Sequence, residues 1–191
     1  SSANQAIAQN ALKNVRSNRK KIERAIRKQQ AQVLQTGIVT LKNGDNIDFK
    51  RKAGSIVDLT TGSYWNQAST DPLADLTAGM KFLREVGNSS GRTVNVIMRG
   101  AAMSALLSND NTELQRALDD RRMNRANIVM PQFDEASGMA FHGQVAAGDF
   151  AVNLWTYNEK YTDASGTTQY YLEEENVIML PSDFMGKTVF G

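Results

Sequence analysis

The sequence predicts an α+β protein, and three observations carry that prediction. From about Asn10 to Gln35 there is no Gly or Pro and the apolar residues keep the spacing of one helical face; around Asn43-Gly44 the period changes to two; after Pro131 the chain reads as a series of short strands. With 191 residues, 41% of them hydrophobic and 22% charged, the chain can bury a core and has the length of one domain or two small ones.

The first element is a long helix. Ile22, Ala25, Ile26, Gln29 and Val33 follow the i, i+3, i+4, i+7, i+11 pattern, while Arg16, Arg19, Lys20, Arg24, Arg27 and Lys28 occupy most of the remaining circumference. Gly37 ends it, where a left-handed residue costs least. Ile38-Val39-Thr40-Leu41, Asn43-Gly44 and Ile47-Asp48-Phe49 then read as a β-hairpin with an Asn-Gly turn in which both turn residues take positive φ. Thr60 to Asn66 is polar and turn-rich, and is expected to be a loop anchored by Trp65.

Asp71-Pro72 starts the next helix, with Asp as N-cap and Pro at the first helical position. Its buried stripe is Leu73, Leu76, Met80 and Leu83, and it stops at Gly87. Thr93 to Met98 is a strand and Gly100 to Leu107 a short helix. Thr112-Glu113-Leu114-Gln115 reads as a capping box opening a helix through Arg122, with Leu114, Ala117, Leu118 and Arg121 on one face. Gly143 to Val145, Phe150 to Tyr157, Tyr170 to Leu172 and Val177 to Leu180 are expected to form a mostly antiparallel sheet, with Asp163 to Gly166 as a turn between two of its strands. There is no internal repeat or Pro-rich linker, so the expected division is 1–58, the basic helix plus hairpin, and 59–191, a mixed helix and sheet region.

Composition closes much of chemical space. There is no Cys and a single His, His142, which removes disulfides, thiolate metal sites and multi-histidine centres. The net charge of +2 hides a division: residues before 53 carry 12 Lys/Arg against 3 Asp/Glu, and the rest carry 10 against 17. Such polarity suits a nucleic-acid contact or attraction between copies of the chain. No apolar run approaches the length of a membrane span, and Ser1-Ser2-Ala3-Asn4 has no leader character, so the expectation is a soluble, unsecreted protein.

No catalytic or cofactor motif emerges. Gly91 to Gly100 encloses a strand and does not lead from one into a helix, so it is no phosphate loop. His142 has no nucleophile motif around Ser104 or Ser137 and reads as structural. Glu173-Glu174-Glu175 lacks the alternating ligands of a calcium loop. Asp119-Asp120-Arg121-Arg122 reads as ordinary ion pairing at a helix end. Asn88-Ser89-Ser90 matches a glycosylation acceptor but is expected to stay unmodified. Trp65 and Trp155 are expected to be structural anchors. The sequence therefore predicts no enzymatic activity, no cofactor and no metal.

From about Ile22 to Gly191 the chain resembles the tailed-bacteriophage major capsid proteins of the E family, the phage lambda head-protein type. The resemblance lies in the order of several segments: Val33-Leu34-Gln35-Thr36-Gly37 closing a basic helix, Asn43-Gly44-Asp45, Tyr64-Trp65 and Asp71-Pro72-Leu73-Ala74-Asp75-Leu76. It continues with Asn153-Leu154-Trp155-Thr156-Tyr157, Tyr161-Thr162-Asp163, Gly166, Tyr171-Leu172, Asn176-Val177-Ile178-Met179-Leu180 and Gly186-Lys187-Thr188-Val189-Phe190-Gly191. It implies a Hong Kong 97-like shell fold: a peripheral domain with a long spine helix, here 1–58, and an axial domain of sheet and helices, here 59–191, with a return to the peripheral domain at its end. It also implies a prophage-derived structural head protein that assembles through hexamers and pentamers into an icosahedral shell around phage DNA. The implied partners are scaffolding, portal and head-decoration proteins and non-specifically bound packaged DNA, without a membrane. The implied location is the virion, after assembly in the bacterial host cytoplasm. Family members are longer at both ends, with an N-terminal arm, an extended loop before the spine helix and further chain beyond Gly191, so the sequence is expected to be a fragment or to lack such segments. The expected subunit or DNA contacts are Arg19, Lys20, Arg24, Arg27, Lys28, Arg121 and Arg122. The alternative is a non-specific nucleic-acid-binding protein that uses the basic N-terminal helix.

Overall fold

The computed structural model describes residues 2–119 and 125–189. The chain forms two compact units: Ser1–Lys50 with Lys160–Tyr171, and Arg51–Glu159 with Leu172–Gly191. Each is built from segments distant in sequence, so the chain passes from the first to the second, returns, and leaves again.

In the first unit, α1 runs from Ser2 to Thr36, starting eight residues before the predicted Asn10. The added turns, Ala3-Asn4-Gln5-Ala6-Ile7-Ala8, contain strong helix formers and no breaker, and they continue the same apolar period. At about 1.5 Å per residue the helix is about 50 Å long. Gly37, at φ +74, closes it by donating its N–H to the Val33 carbonyl at 2.9 Å. The strands β1 (Ile38–Thr40) and β2 (Asn46–Asp48) pair antiparallel with Val39 opposite Ile47. Their connection differs from the predicted two-residue turn. Leu41 and Asp45 are bonded at 2.8 Å, and Gly44 donates to Leu41 O at 3.0 Å. The loop is therefore Lys42-Asn43-Gly44, and of the Asn-Gly pair only Gly44 has positive φ, at +91. Asn43 contributes through its side chain, whose Oδ1 accepts the Asp45 N–H at 3.1 Å.

The returning segment forms β7 (Lys160–Thr162) and β8 (Thr168–Tyr170), a separate two-stranded hairpin. This corrects the expectation that Tyr170 belongs to the main sheet. The Asp163 carboxylate accepts the N–H groups of Ser165 and Thr167, both at 2.9 Å. That closes the chain on itself after three residues, too early to extend a neighbouring ladder. Gln35 Nε2 donates to Tyr171 O at 2.9 Å, and Lys28 Nζ lies 5.6 Å from the Tyr161 ring centroid. The segment is thereby held to the C-terminal half of α1.

The second unit is a five-stranded sheet, ordered β4-β5-β6-β3-β9, with three helices on one face. The strands are β3 (Thr93–Met98), β4 (Ala126–Asp134), β5 (Met139–Ala147), β6 (Phe150–Tyr157) and β9 (Val177–Pro181); the helices are α2 (Pro72–Glu85), α3 (Gly100–Ser108) and α4 (Thr112–Asp119). All neighbours are antiparallel except β3 and β6, which are parallel. The sheet is thus mostly antiparallel, as expected; β3 and β6 can run parallel because two helices and two strands intervene between them, enough chain for a crossover. Alternate residues Val94, Val96, Met98, Val145, Val152 and Leu154 are buried against Leu73, Leu76 and Met80 of α2, Met103 and Leu106 of α3, and Leu114 and Ala117 of α4. Asp71 caps α2, its Oδ1 accepting the Ala74 N–H at 3.1 Å, as predicted. α4 is capped one residue before the predicted box: Asn111 Oδ1 accepts the Leu114 N–H at 3.2 Å. The predicted end of α4 at Arg122 lies outside the described residues. β4 begins at Ala126, before the predicted strand-like region, and its pairing is interrupted between Ile128 and Gln132. Pro131 falls in that gap, where a residue without an N–H fits an edge strand.

Candidate assembly and nucleic-acid interface

The candidate site is the exposed surface of α1. Arg19, Lys20, Arg24, Arg27 and Lys28 are all solvent-exposed. At about 100° per residue, Lys20, Arg24 and Arg27 form one line along the helix with Lys13 and Arg16. Those last two are absent from the predicted contact set, although the i, i+3, i+7 spacing of Lys13, Arg16 and Lys20 is readable in the sequence. Lys13, Arg16, Lys20 and Arg24 also line a shallow open groove with Gln9, Leu12 and Ser17.

The neighbouring groups modulate this line only weakly. Arg19 Nε bonds Glu23 Oε1 at 3.0 Å, an exposed i,i+4 pair, worth about 0.3–0.5 kcal/mol. Arg24 Nε donates to Lys20 O at 3.3 Å. Lys28 is drawn aside over the Tyr161 ring. What remains is a row of cations over about 20 Å with only Glu23 among them. Such a row can meet carboxylates or phosphates as point charges, and it offers no pocket that could read a base sequence. Arg121 and Arg122, the other predicted contacts, lie outside the described residues.

The remaining candidates have structural surroundings. His142 Nε2 lies 2.8 Å from Thr156 Oγ1 on the adjacent strand, and burial pushes its pKa below the ordinary value. Glu173, Glu174 and Glu175 are exposed in a turn. Among the described residues no group of three or more His, Cys, Asp or Glu could hold a metal ion. In the Asn88-Ser89-Ser90 segment, Ser89 Oγ and the Ser90 N–H donate to the Asp183 carboxylate at 2.7 and 2.9 Å. These bonds lower the Asp183 pKa and tie the segment to the chain leaving β9. Trp65, 9% exposed, donates its Nε1–H to Asp75 Oδ2 at 2.8 Å and so anchors its loop on α2. Among the described residues no helix is long and apolar enough to cross a membrane.

The described residues thus present an exposed cationic helix in the first unit and a layer of helices on a sheet in the second. The family model for phage major capsid protein E matches residues 1–190, and the chain belongs to that family, which is structural and not enzymatic. A crystal structure assigned as a capsid protein of an E. coli CFT073 prophage aligns with a TM-score of 0.61 and 17% identity, covering 87% of this chain and 46% of that one. This likeness shows a shared α+β fold, and the chain spans about half the length of that structure. No curated protein matches the sequence.

Proposed function

We propose that the chain is a subunit of an icosahedral phage or prophage head, packing with its own copies into hexamers and pentamers around DNA. The observation that supports this best is the match to the capsid family over residues 1–190. The charge division adds a physical reason, because a basic helix and an acidic remainder attract between copies in a head-to-tail sense that closes into rings. In this reading residues 1–58 are the peripheral domain and 59–191 the axial domain, which returns to the peripheral domain through the β7–β8 hairpin. Arg19, Lys20, Arg24, Arg27 and Lys28, with Arg121 and Arg122, meet the carboxylates of a neighbouring subunit or the phosphates of packaged DNA. Assembly takes place in the bacterial cytoplasm, with scaffolding, portal and decoration proteins as further partners, and the product is the virion.

Electron microscopy of the purified protein tests this, with closed shells or capsomers as the expected result. An isolated monomer that binds duplex DNA tightly, with a steep salt dependence and no particles, is the contrary result.

A further inference from the structure

Every residue of α1 from 3 to 25 is exposed; burial begins at Ile26 and becomes continuous over residues 31–35. The apolar stripe of the helix is bare over the same stretch, with Ile7, Val15 and Ile22 at 66%, 64% and 59% exposure. Helices in folded proteins are held mainly by the face they bury. Residues 3–25 bury none, so their helix rests on local terms alone.

Several of those terms oppose it. Asn10, Asn14 and Asn18 recur every four residues, and an Asn side chain competes for backbone hydrogen bonds in non-helical conformations. Along the basic line, Lys13 and Arg16, Arg16 and Lys20, Lys20 and Arg24, and Arg24 and Arg27 are like-charged at i,i+3 or i,i+4, the spacings at which helical side chains meet and repel. Glu23 is the one acid in the helix, and its bond is to Arg19, off that line. The first turn has no acid, where the helix dipole would favour one.

An anion laid along the line removes the repulsion, and the two available sources differ in length. Lys13 to Arg27 covers about 20 Å of helix axis. The acidic runs Asp134-Glu135 and Glu173-Glu174-Glu175 extend over about 10 Å at most, even fully stretched. A duplex presents one phosphate charge per ~1.7 Å of its length. Its backbone can therefore meet all five cations together, whereas either acidic run of a neighbouring copy meets part of the line.

We propose that residues 3–25 are a DNA contact that folds as it binds: they fray in the free subunit, and phosphates along Lys13, Arg16, Lys20, Arg24 and Arg27 complete the helix. The full α1 of the structure is the bound conformation. This rests on the shell reading above and specifies which of its two anion sources the basic line meets. A single subunit binds weakly, at micromolar level or above, as sequence-independent phosphate contacts do, and the ordering weakens it further. The many copies lining a shell make up the difference.

Amide hydrogen exchange on the unassembled full chain, alone and with a short duplex of mixed sequence, reads the coupling. Without DNA, amides 6–25 are expected to exchange at least about tenfold faster than amides 31–36, and with duplex to slow towards them. Duplex affinity, followed by fluorescence anisotropy, should fall roughly 500-fold for an about fourfold rise in salt, the slope that five phosphate contacts give. Asn10→Ala, Asn14→Ala and Asn18→Ala combined lie off the basic line and raise helix propensity. They are expected to protect amides 6–25 without DNA and to tighten duplex binding several-fold. Amides 6–25 as protected as 31–36 in the free wild-type subunit overturn the coupling, and so does a triple Asn variant that gains protection at unchanged affinity. Protection gained in nucleic-acid-free shells but not with duplex overturns it in favour of a neighbouring copy's carboxylates. Electron microscopy of the same protein reads the shell separately: particles without any effect of duplex remove this inference alone, and absence of particles removes the shell reading whatever the duplex does. Should the Asn variant fail to fold, the wild-type exchange decides.

Discussion

Four residues illustrate how a single side chain, or the lack of one, governs this fold. Gly143 sits at φ +119 where the β5–β6 register shifts between Phe141 and Gly143, and a Cβ there would lie 2.1 Å from the Asn127 carbonyl oxygen. Because the obstructing atom is backbone, Gly143→Ala is expected to lower stability by about 3 kcal/mol, measured by urea unfolding. The two tryptophans should separate in the same assay. Trp65, nearly buried and bonded to Asp75, should cost about 3–5 kcal/mol on truncation to Ala. Trp155 is half-buried on the open face, its ring tilted against Phe141 at 4.8 Å between centroids and its Nε1–H donated to Asn95, and its replacement should cost about half as much. His142 gives a pH signature. Burial lowers its folded pKa below the ordinary 6.5, so the unfolded chain binds the proton more readily. Stability is then full above about pH 6.5 and declines as pH falls from there through the folded pKa. His142→Gln should flatten the decline, read from unfolding midpoints between about pH 5 and pH 7.5.

Among the elements, helix ends and the amide row across the sheet show how local chemistry is set. The Asp71 cap and Pro72 at the first position define the start of α2, so Asp71→Ala is expected to cost about 1 kcal/mol by orphaning the Ala74 N–H; thermal unfolding reads it. Gly79, inside the same helix, is costly by propensity, yet a Cβ there would sit 2.4 Å from Met179 Sδ, so its absence lets α2 lie close to β9. On the open sheet face Gln144 donates to Asn153 at 2.6 Å and Asn153 to Asn95 at 3.1 Å, a side-chain row that reinforces the β5-β6-β3 register. The candidate contact line on α1 is legible because helical spacing alone aligns Lys20, Arg24 and Arg27, and the same rule reaches Lys13 and Arg16. The bare apolar stripe is less legible, since a hydrophobic period indicates which face is buried without indicating by what.

For the molecule as a whole, the electrostatic proposal has a direct test. Arg19→Glu, Arg24→Glu and Arg27→Glu combined are expected to leave the subunit folded, since exposed substitutions usually cost within about 0.5 kcal/mol each. The same triple change should impair shell assembly or DNA retention, seen by electron microscopy and by nucleic-acid content after nuclease treatment. Normal heads that package DNA with all three charges reversed would show that the basic face is only a solvated surface. Sequence by itself determined the α+β class, the long basic helix, the first hairpin, the Asp71 cap and the alternation that buries Val94, Val96 and Met98, because each follows from backbone preferences and periods within a few residues. Tertiary structure decided the return of Lys160–Tyr171 to the first unit, the parallel pairing of β3 with β6, the passage of β4 through Pro131 and the Asn111 cap. Those features depend on which distant segments bury one another's apolar surface and satisfy one another's hydrogen bonds, a competition that no local period records.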